Sequence, residues 1–299
     1  MRANVKYVPH LIILVCVLVG ILIVRTRRYN ERFQTRQSHT AVVFELNGAA
    51  GFFSVYFMLC TAYIYAKKNG YDFYLKMSGW HYTYKQGWHD YMTSLELWDP
   101  SYIYERIETY KHAGMGDIPK YTLKDYEEAS REIFTVSPEI MEKVNAYKAS
   151  LPPNYDSIYI RRGDKVVGNI KEMDLLSVQD ILNKTDLTSN CSDLFVQTDD
   201  YTAIEELRQL LPNCKIHTLT NPDERGSSNL SLNNEDADKR YNDAVNLLVQ
   251  MFVFAGGRNC WSDIRSNVGR MHKVMAYDKV HLYPRDDITR DYEGNLAYG

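Results

Sequence analysis

"SIYIRRGDKVVG", Ser157 to Gly168, runs from a short apolar strand pattern into two arginines, a glycine, an aspartate and a lysine. Side chains alternate faces along a strand, so Tyr159 and Arg161 share one side, and Ile160 and Arg162 the other. Gly163 then turns the chain at the carboxyl end of the sheet, the edge at which α/β proteins bind ligands. One arginine can therefore face a crevice and hold an anion through two parallel bonds. The other is expected to be tied inward, with Asp164 as its first candidate partner. A structural Arg–Asp network is the competing reading. The letters RGD at a buried strand end are a weak signal for adhesion.

Outward from this stretch the chain alternates strands and helices, which predicts parallel, doubly wound sheets. Upstream, Ala41–Leu46 reads as a strand, "NGAAG" as a turn, Phe52–Gly70 as a buried helix and "YDFYLK" as a second strand. Thr122–Ser150 reads as helical and ends before Pro152–Pro153, the predicted domain boundary. Downstream, "DLFVQTDD", "CKIHTL", "RNCW" and "KVHLY" read as strands. Leu175–Leu182, Thr202–Leu211, Ala237–Gly256 and Ser266–Tyr277 read as helices, and Asn221–Asp238 as a polar loop.

Other strand ends carry chemistry toward the same edge. Asp199 and Asp200 stand at a helix start, where capping alone accounts for one acid. "WSDIRSNVGR" offers Ser262, Asp263, Arg265, Ser266 and Asn267 at another helix start, a natural cradle for a diphosphate. Ordinary capping by Ser262 or Asp263 is the plainer alternative. Gly51 and Phe52 end a small-residue turn that lets a ligand approach the backbone, although it is neither GxGxxG nor a P-loop. Asp236 and Asp238 form a DxD of the kind metal-dependent sugar transferases use, in a polar loop where such triplets are common. The aromatic belt Trp80, His81, Tyr82, Tyr84, Trp88, His89 and Tyr91 suits sugar stacking, with Trp80, Tyr82 and Trp88 the acceptor candidates. Plain packing between two halves is the competing reading.

The 35 Lys+Arg against 38 Asp+Glu give −3. Seven basic residues and one acidic residue precede position 40, so the remainder carries −9. That balance argues against nucleic acid as a partner. Val8–Val24 has no charged residue, and as a helix its 17 residues reach about 26 Å, at the short end for a span. "RTRRYNERFQTR" follows without a cleavage pattern, so a retained anchor is expected over 8–24, with a basic stem to 39. Flanking charges place the body in the cytoplasm. Sequons at Asn183, Asn190 and Asn229 are compatible with a lumen. The five cysteines show no CxxC spacing, so buried thiols are expected rather than a zinc site or disulfide framework.

"YIRRGDK" (Tyr159–Lys165), preceded by "NGAAGF" and followed by "TDD" and "DIRSNVGR", resembles the fucosyltransferase-like glycosyltransferases. That superfamily contains the α-1,6-, nodulation and protein O-fucosyltransferases, and its hallmark is a strand ending H-x-R-R-x-D-K. The compact length is similar to short, virus-encoded members. The resemblance implies a GT-B fold: two Rossmann-like domains, 40–152 on the acceptor side and 153–299 on the donor side, facing across a cleft. It implies inversion, a nucleotide-sugar donor, a glycan or glycoprotein acceptor and no required cofactor or metal. Arg161 would hold the donor diphosphate, Arg162 and Asp164 would shape the loop, and Lys165 would work with an acid on the acceptor hydroxyl. Ser266 would contact phosphates, and Asp199 and Asp200 would support the cleft.

The departures from the pattern bear on the donor. Tyr159 replaces the hallmark histidine that helps read guanine, and an ungapped count from Ser266 puts Gln250 at the guanine-reading aspartate. A site without that carboxylate need not select guanine, which points to a UDP-sugar such as UDP-xylose, with GDP-fucose the alternative. Asn169 stands where the family has an acid, so Glu172 becomes the candidate general base. A sulfotransferase, a metal-dependent GT-A transferase and a non-catalytic carbohydrate-binding protein are the rival readings.

Overall fold

The computed structural model describes residues 39–283 apart from 113, 117, 164–173, 186, 188–190 and 227–234. The expected anchor and the candidates Asp164, Lys165 and Glu172 lie outside the described residues. None of the described helices is long and apolar enough to cross a membrane.

Strand β1 (Thr40–Gly48) leads through the glycine turn into α1 (Phe52–Asn69) and back to β2 (Asp72–Trp80). Gly70 ends α1 in the left-handed region at φ 67°, with Lys67 and Lys68 in the last turn beside the exposed carbonyls. A 3₁₀ turn (Gly87–Asp90) and β3 (Arg106–Lys111) follow. The pairing β2-β1-β3 is parallel throughout. β3 has no counterpart in the sequence reading: "RIETYK" lies at a sheet edge and lacks the apolar alternation that marks a half-buried strand.

Where one helix is expected over Thr122–Ser150, two form: α2 (Leu123–Ile133) and α3 (Pro138–Ser150). Pro138 disfavours helical backbone at Ser137, which instead caps α3 by accepting from the Ile140 N–H. Thr122 and Asp125 close a capping box on α2.

The second sheet comprises β4 (Asp156–Ile160), β5 (Asp193–Thr198), β6 (Lys215–His217), β7 (Cys260–Asp263) and β8 (Val280–Tyr283). Its helices are α4 (Val178–Lys184), α5 (Thr202–Leu210), α6 (Ala237–Phe254) and α7 (Asn267–Met275). The strands lie parallel in the order β6-β5-β4-β7-β8. Counted within this half, that is 3-2-1-4-5, the Rossmann order, with its switch point between β4 and β7. The alternation expected in β4 holds: Tyr159 joins the large core shared with the first sheet, whereas Ile158 and Ile160 join a smaller core on the opposite face.

The cysteine reading needs one correction. Cys60 and Cys260 are buried thiols whose pKa burial pushes up to about 12. Cys191 and Cys214, however, form a disulfide with Cα atoms 5.3 Å apart. Their spacing of 23 residues matches no motif. The β5–β6 register, which sets Asp193 beside Lys215, brings the two flanking cysteines together.

α7 packs so closely on the end of β7 that a Cβ on Gly269 would lie 1.8 Å from the Asp263 carbonyl oxygen. Backbone cannot yield as a flexible side chain does. Gly269→Ala is therefore expected to destabilise the protein by about 1–3 kcal/mol, read from a lower urea midpoint at unchanged m-value.

Candidate functional site

Arg161 and Arg162 follow the last residue of β4 beside the switch point. Their side chains part as the strand alternation requires. Arg162, 7% exposed, turns to α5, where its Nη1 donates to Thr202 Oγ1 at 2.8 Å and Glu206 Oε1 at 2.8 Å. The hydrogen bond from Arg162 holds the Glu206 carboxyl below its usual range. The inward arginine is thus Arg162, and Glu206, which the sequence reading did not name, is its acid among the described residues. Arg161 lies on the Tyr159 side and pairs with Asp199, both side chains mostly buried. Asp199 also accepts from the Arg162 backbone N–H at 2.8 Å, so it ties this strand end to β5. Asp200 does what a cap does: its Oδ1 accepts from Thr202 N at 2.9 Å and Thr202 Oγ1 at 2.7 Å.

A second loop presses on the same turn. Gly226 donates its N–H to the Asp199 carbonyl at 2.8 Å, at φ +92°. A Cβ there would lie 2.5 Å from Gly163 Cα, itself at φ 70°. Two glycines back to back let this loop seat on the arginine turn.

Beyond the switch point, Asp263, 1% exposed, grips Arg265 through Nε at 2.9 Å and Nη2 at 2.7 Å. Arg265 Nη1 donates to the Asp174 carbonyl at 2.9 Å, which ties the guanidinium to the segment that precedes α4. The cap of α7 is Ser266, not Ser262 or Asp263: its buried hydroxyl accepts from Gly269 N at 3.0 Å and donates to the Tyr159 hydroxyl at 3.1 Å. The expected phosphate contact through Ser266 Oγ would share a hydroxyl that already caps α7 and meets Tyr159. Asn267 Oδ1 accepts from Arg270 at 3.2 Å. What α7 offers an anion is its first-turn backbone, aligned with the helix dipole.

Beneath the turn lies a buried network that the sequence reading missed. His272, fully buried, meets Ser262 Oγ at 2.8 Å through Nδ1 and Gln197 Oε1 at 2.9 Å through Nε2. Gln197 Nε2 contacts Met251 Sδ at 3.6 Å, and the imidazole stacks on Phe254 at 3.7 Å. With the glutamine oxygen accepting, Nε2 carries the proton and Ser262 donates to Nδ1. The spacing of Met271 and Val274 on α7 marks an inward face that includes position 272, the one signal for it. Gln250, on α6 one turn before Phe254, is 6% exposed and its Oε1 has no hydrogen-bond partner among the described residues.

The aromatic belt is core. Trp80, Tyr82 and Trp88 are 3%, 6% and 1% exposed and pack around Phe52 and Tyr91. This corrects their expected role as acceptor platforms, because no ring face is left for a sugar. Tyr84 stacks on Tyr241 of α6 at 4.5 Å, so the belt also joins the two halves. The Tyr82 hydroxyl accepts from the Phe52 N–H at 3.2 Å. Gly51, with nothing within 4 Å of an added Cβ, borders open space. The DxD is likewise structural: Asp236 caps α6, and Asp238 accepts from the Tyr84 hydroxyl at 2.5 Å. Among the described residues no cluster could hold a metal ion. A cleft of about 500 Å³ between α3 and α6, lined by Tyr147, Asn242 and Val249 among others, includes none of the expected site residues.

A parallel sheet in the Rossmann order, with an arginine at its switch point, defines a doubly wound class of α/β protein. No family model and no curated protein matches the sequence. Solved structures do. NodZ alpha-1,6-fucosyltransferase soaked with GDP-fucose aligns at TM-score 0.51 and 12% identity, over 79% of this chain and 92% of that one. A mutant of FUT1 from Arabidopsis thaliana in complex with GDP aligns at TM-score 0.54 and 11% identity, over 85% and 73%. At such identities the likeness establishes the fold: this chain has the fold of the fucosyltransferase-like glycosyltransferases.

Burial holds the His272 pKa well below the ordinary imidazole value. A base whose folded pKa is depressed gives full stability above its unfolded pKa, about 6.5, and loses it as pH falls below that value. The expected loss between pH 6.5 and 5 approaches about 1.4 kcal/mol per pH unit. His272→Gln should flatten that slope in pH-resolved urea melts.

Proposed function

We propose that this chain is a membrane-anchored, inverting glycosyltransferase that moves a sugar from a nucleotide-sugar donor to a hydroxyl of a glycan or glycoprotein. One observation carries the reading: Arg161 stands at the switch point of a Rossmann-ordered sheet, on the same face as the start of α7. Residues 153–299 are then the donor half and 40–152 the acceptor half. A diphosphate at the crevice meets the Arg161 guanidinium and the first-turn N–H groups of α7. As the bond from the anomeric carbon to the diphosphate breaks, charge grows on the departing phosphate, where Arg161 stabilises it. The acceptor hydroxyl attacks the opposite face and forms the new glycosidic bond with inversion. Its proton passes to a carboxylate, for which Glu172, with Lys165 and Asp164 nearby in sequence, is the candidate.

For the donor base we favour uracil. Guanine presents two adjacent donors, which a carboxylate matches; uracil presents one N–H between two carbonyls. Gln250 supplies one acceptor oxygen, unpartnered in its buried position, and two donors. That supports a UDP-sugar such as UDP-xylose. GDP-fucose is the second reading, favoured by the ligands of the two proteins that share the fold. The Cys191–Cys214 disulfide favours an oxidising, lumenal location for the body over the cytoplasmic side suggested by flanking charge.

Thermal-shift titration of the full chain in detergent, with EDTA, should show stabilisation of about 2.7 kcal/mol by UDP or UDP-xylose at a hundredfold their Kd. Stabilisation by GDP and GDP-fucose alone would restore fucosyl transfer. No shift with any of the four would favour a non-catalytic carbohydrate-binding protein. Arg161→Ala should lower kcat about 10²–10³-fold without unfolding the protein.

A further inference from the structure

Three of the large apolar side chains that stand exposed lie at the first sheet: Ile107 at 48% on the outer face of β3, and Leu97 at 39% and Ile103 at 84% in the segment that joins β2 to β3. Val42, Phe44 and Leu46 of β1 point into the core beside α1, so Ala41 and Val43 point the other way. The parallel register carries that outer face onto Tyr74 of β2 and Ile107 of β3. Over it, Trp98 and Tyr102 pack on Tyr74 at 5.5 and 5.1 Å, and Tyr104 bonds the Tyr74 hydroxyl at 2.7 Å. Ile103 lies between Tyr102 and Tyr104 of this plate, whereas Leu97, bridged in parallel to the inward-facing Leu75, turns to the other side of the sheet. The far end of the face is charged, with Lys76 paired to Glu45 at 2.7 Å. The apolar side chains are thus gathered at the amino-terminal end of the strands.

The same end receives the start of the chain. His39 accepts from the Glu105 and Arg106 N–H groups at 3.0 and 3.1 Å, and Ala41 pairs with Ile107. The 15 residues 25–39 separate this point from the apolar stretch Val8–Val24. Fifteen residues span at most about 50 Å of chain, so an anchored chain would hold this end of the sheet within that distance of the bilayer.

We propose that this face, Trp98, Tyr102, Ile103, Tyr104 and Ile107, rests in the headgroup region of the membrane as a second attachment beside the anchor. The inference rests on the anchor reading above. Amphipathic Trp and Tyr rings favour that interface, and exposed aliphatic side chains can enter the acyl boundary. The membrane then meets the amino-terminal end of β1–β3. Gly51, at the carboxyl end of β1, faces away from it.

The test uses the full chain in vesicles of palmitoyl-oleoyl phosphatidylcholine with about a fifth phosphatidylserine, with or without dibrominated acyl chains near the interface. Trp80, Trp88 and Trp261 are buried, so contact quenching by bromine reports on Trp98. We expect the chain to float with the vesicles and its emission to fall by about a third in brominated lipid. Trp98→Phe should remove that fall, and Ile103→Ser with Ile107→Ser should halve it while flotation persists. Flotation with no Trp98-dependent quenching would overturn the patch and leave the anchor standing. Flotation lost in the double serine variant would keep the patch and overturn the anchor; no flotation of the wild type would overturn both. Disulfide-linked pairs of Ile103→Cys chains without quenching would assign the face to a second copy.

Discussion

The parallel pairing of β4 between β5 and β7 is the constraint on which the candidate site depends. Because β4 runs between strands whose connections leave in opposite directions, its carboxyl end stands at the switch point, where sheets of this order leave a gap for a ligand. Strand alternation then decides which arginine meets that gap. Arg162 is drawn to Glu206 and Thr202 on the α5 side, and Arg161 is left on the Tyr159 side with Asp199. Moving the turn by one residue would exchange the two guanidinium groups.

The surroundings are built to prevent that slip. Asp199 bonds both the Arg161 side chain and the Arg162 backbone, which locks the turn to β5. Gly226 packs against Gly163 from above, and the Ser262–His272–Gln197 network braces β7, α7 and β5 from below. Each buried polar atom in that network has a partner, so it adds rigidity without the penalty of an unsatisfied group. Gln250, outside that network, differs, as do Ser157 Oγ and Arg162 Nε. Among the described residues the Gln250 carboxamide oxygen stands unpartnered in a buried place, a state that costs free energy until a hydrogen-bond donor reaches it.

Much of this was legible in the sequence, because strand period and glycine punctuation are local signals. The arginine pair, the helix starts and the alternation of strands with helices all follow from them. The errors share a cause: each depended on a contact between distant segments. The aromatic belt has the composition of a sugar platform, and only the packing of Phe52 and Tyr91 against it shows that the rings are core. The disulfide needs the β5–β6 register, and β3 exists as an edge strand only because β1 offers it a partner. Ser266 reads equally well as a cap or a phosphate ligand until the Tyr159 hydroxyl is seen beside it.

The most direct measurement compares calorimetric binding of UDP with UMP, and of GDP with GMP, by the full chain and by Arg161→Ala. If Arg161 holds the second phosphate, the wild type should bind the diphosphate of its preferred base at least about tenfold more tightly than the monophosphate, a difference near 1.4 kcal/mol. The variant should bind both alike. A variant that still prefers the diphosphate by the full margin would contradict the assignment of Arg161, and with it the placement of the donor at the β4–β7 switch point.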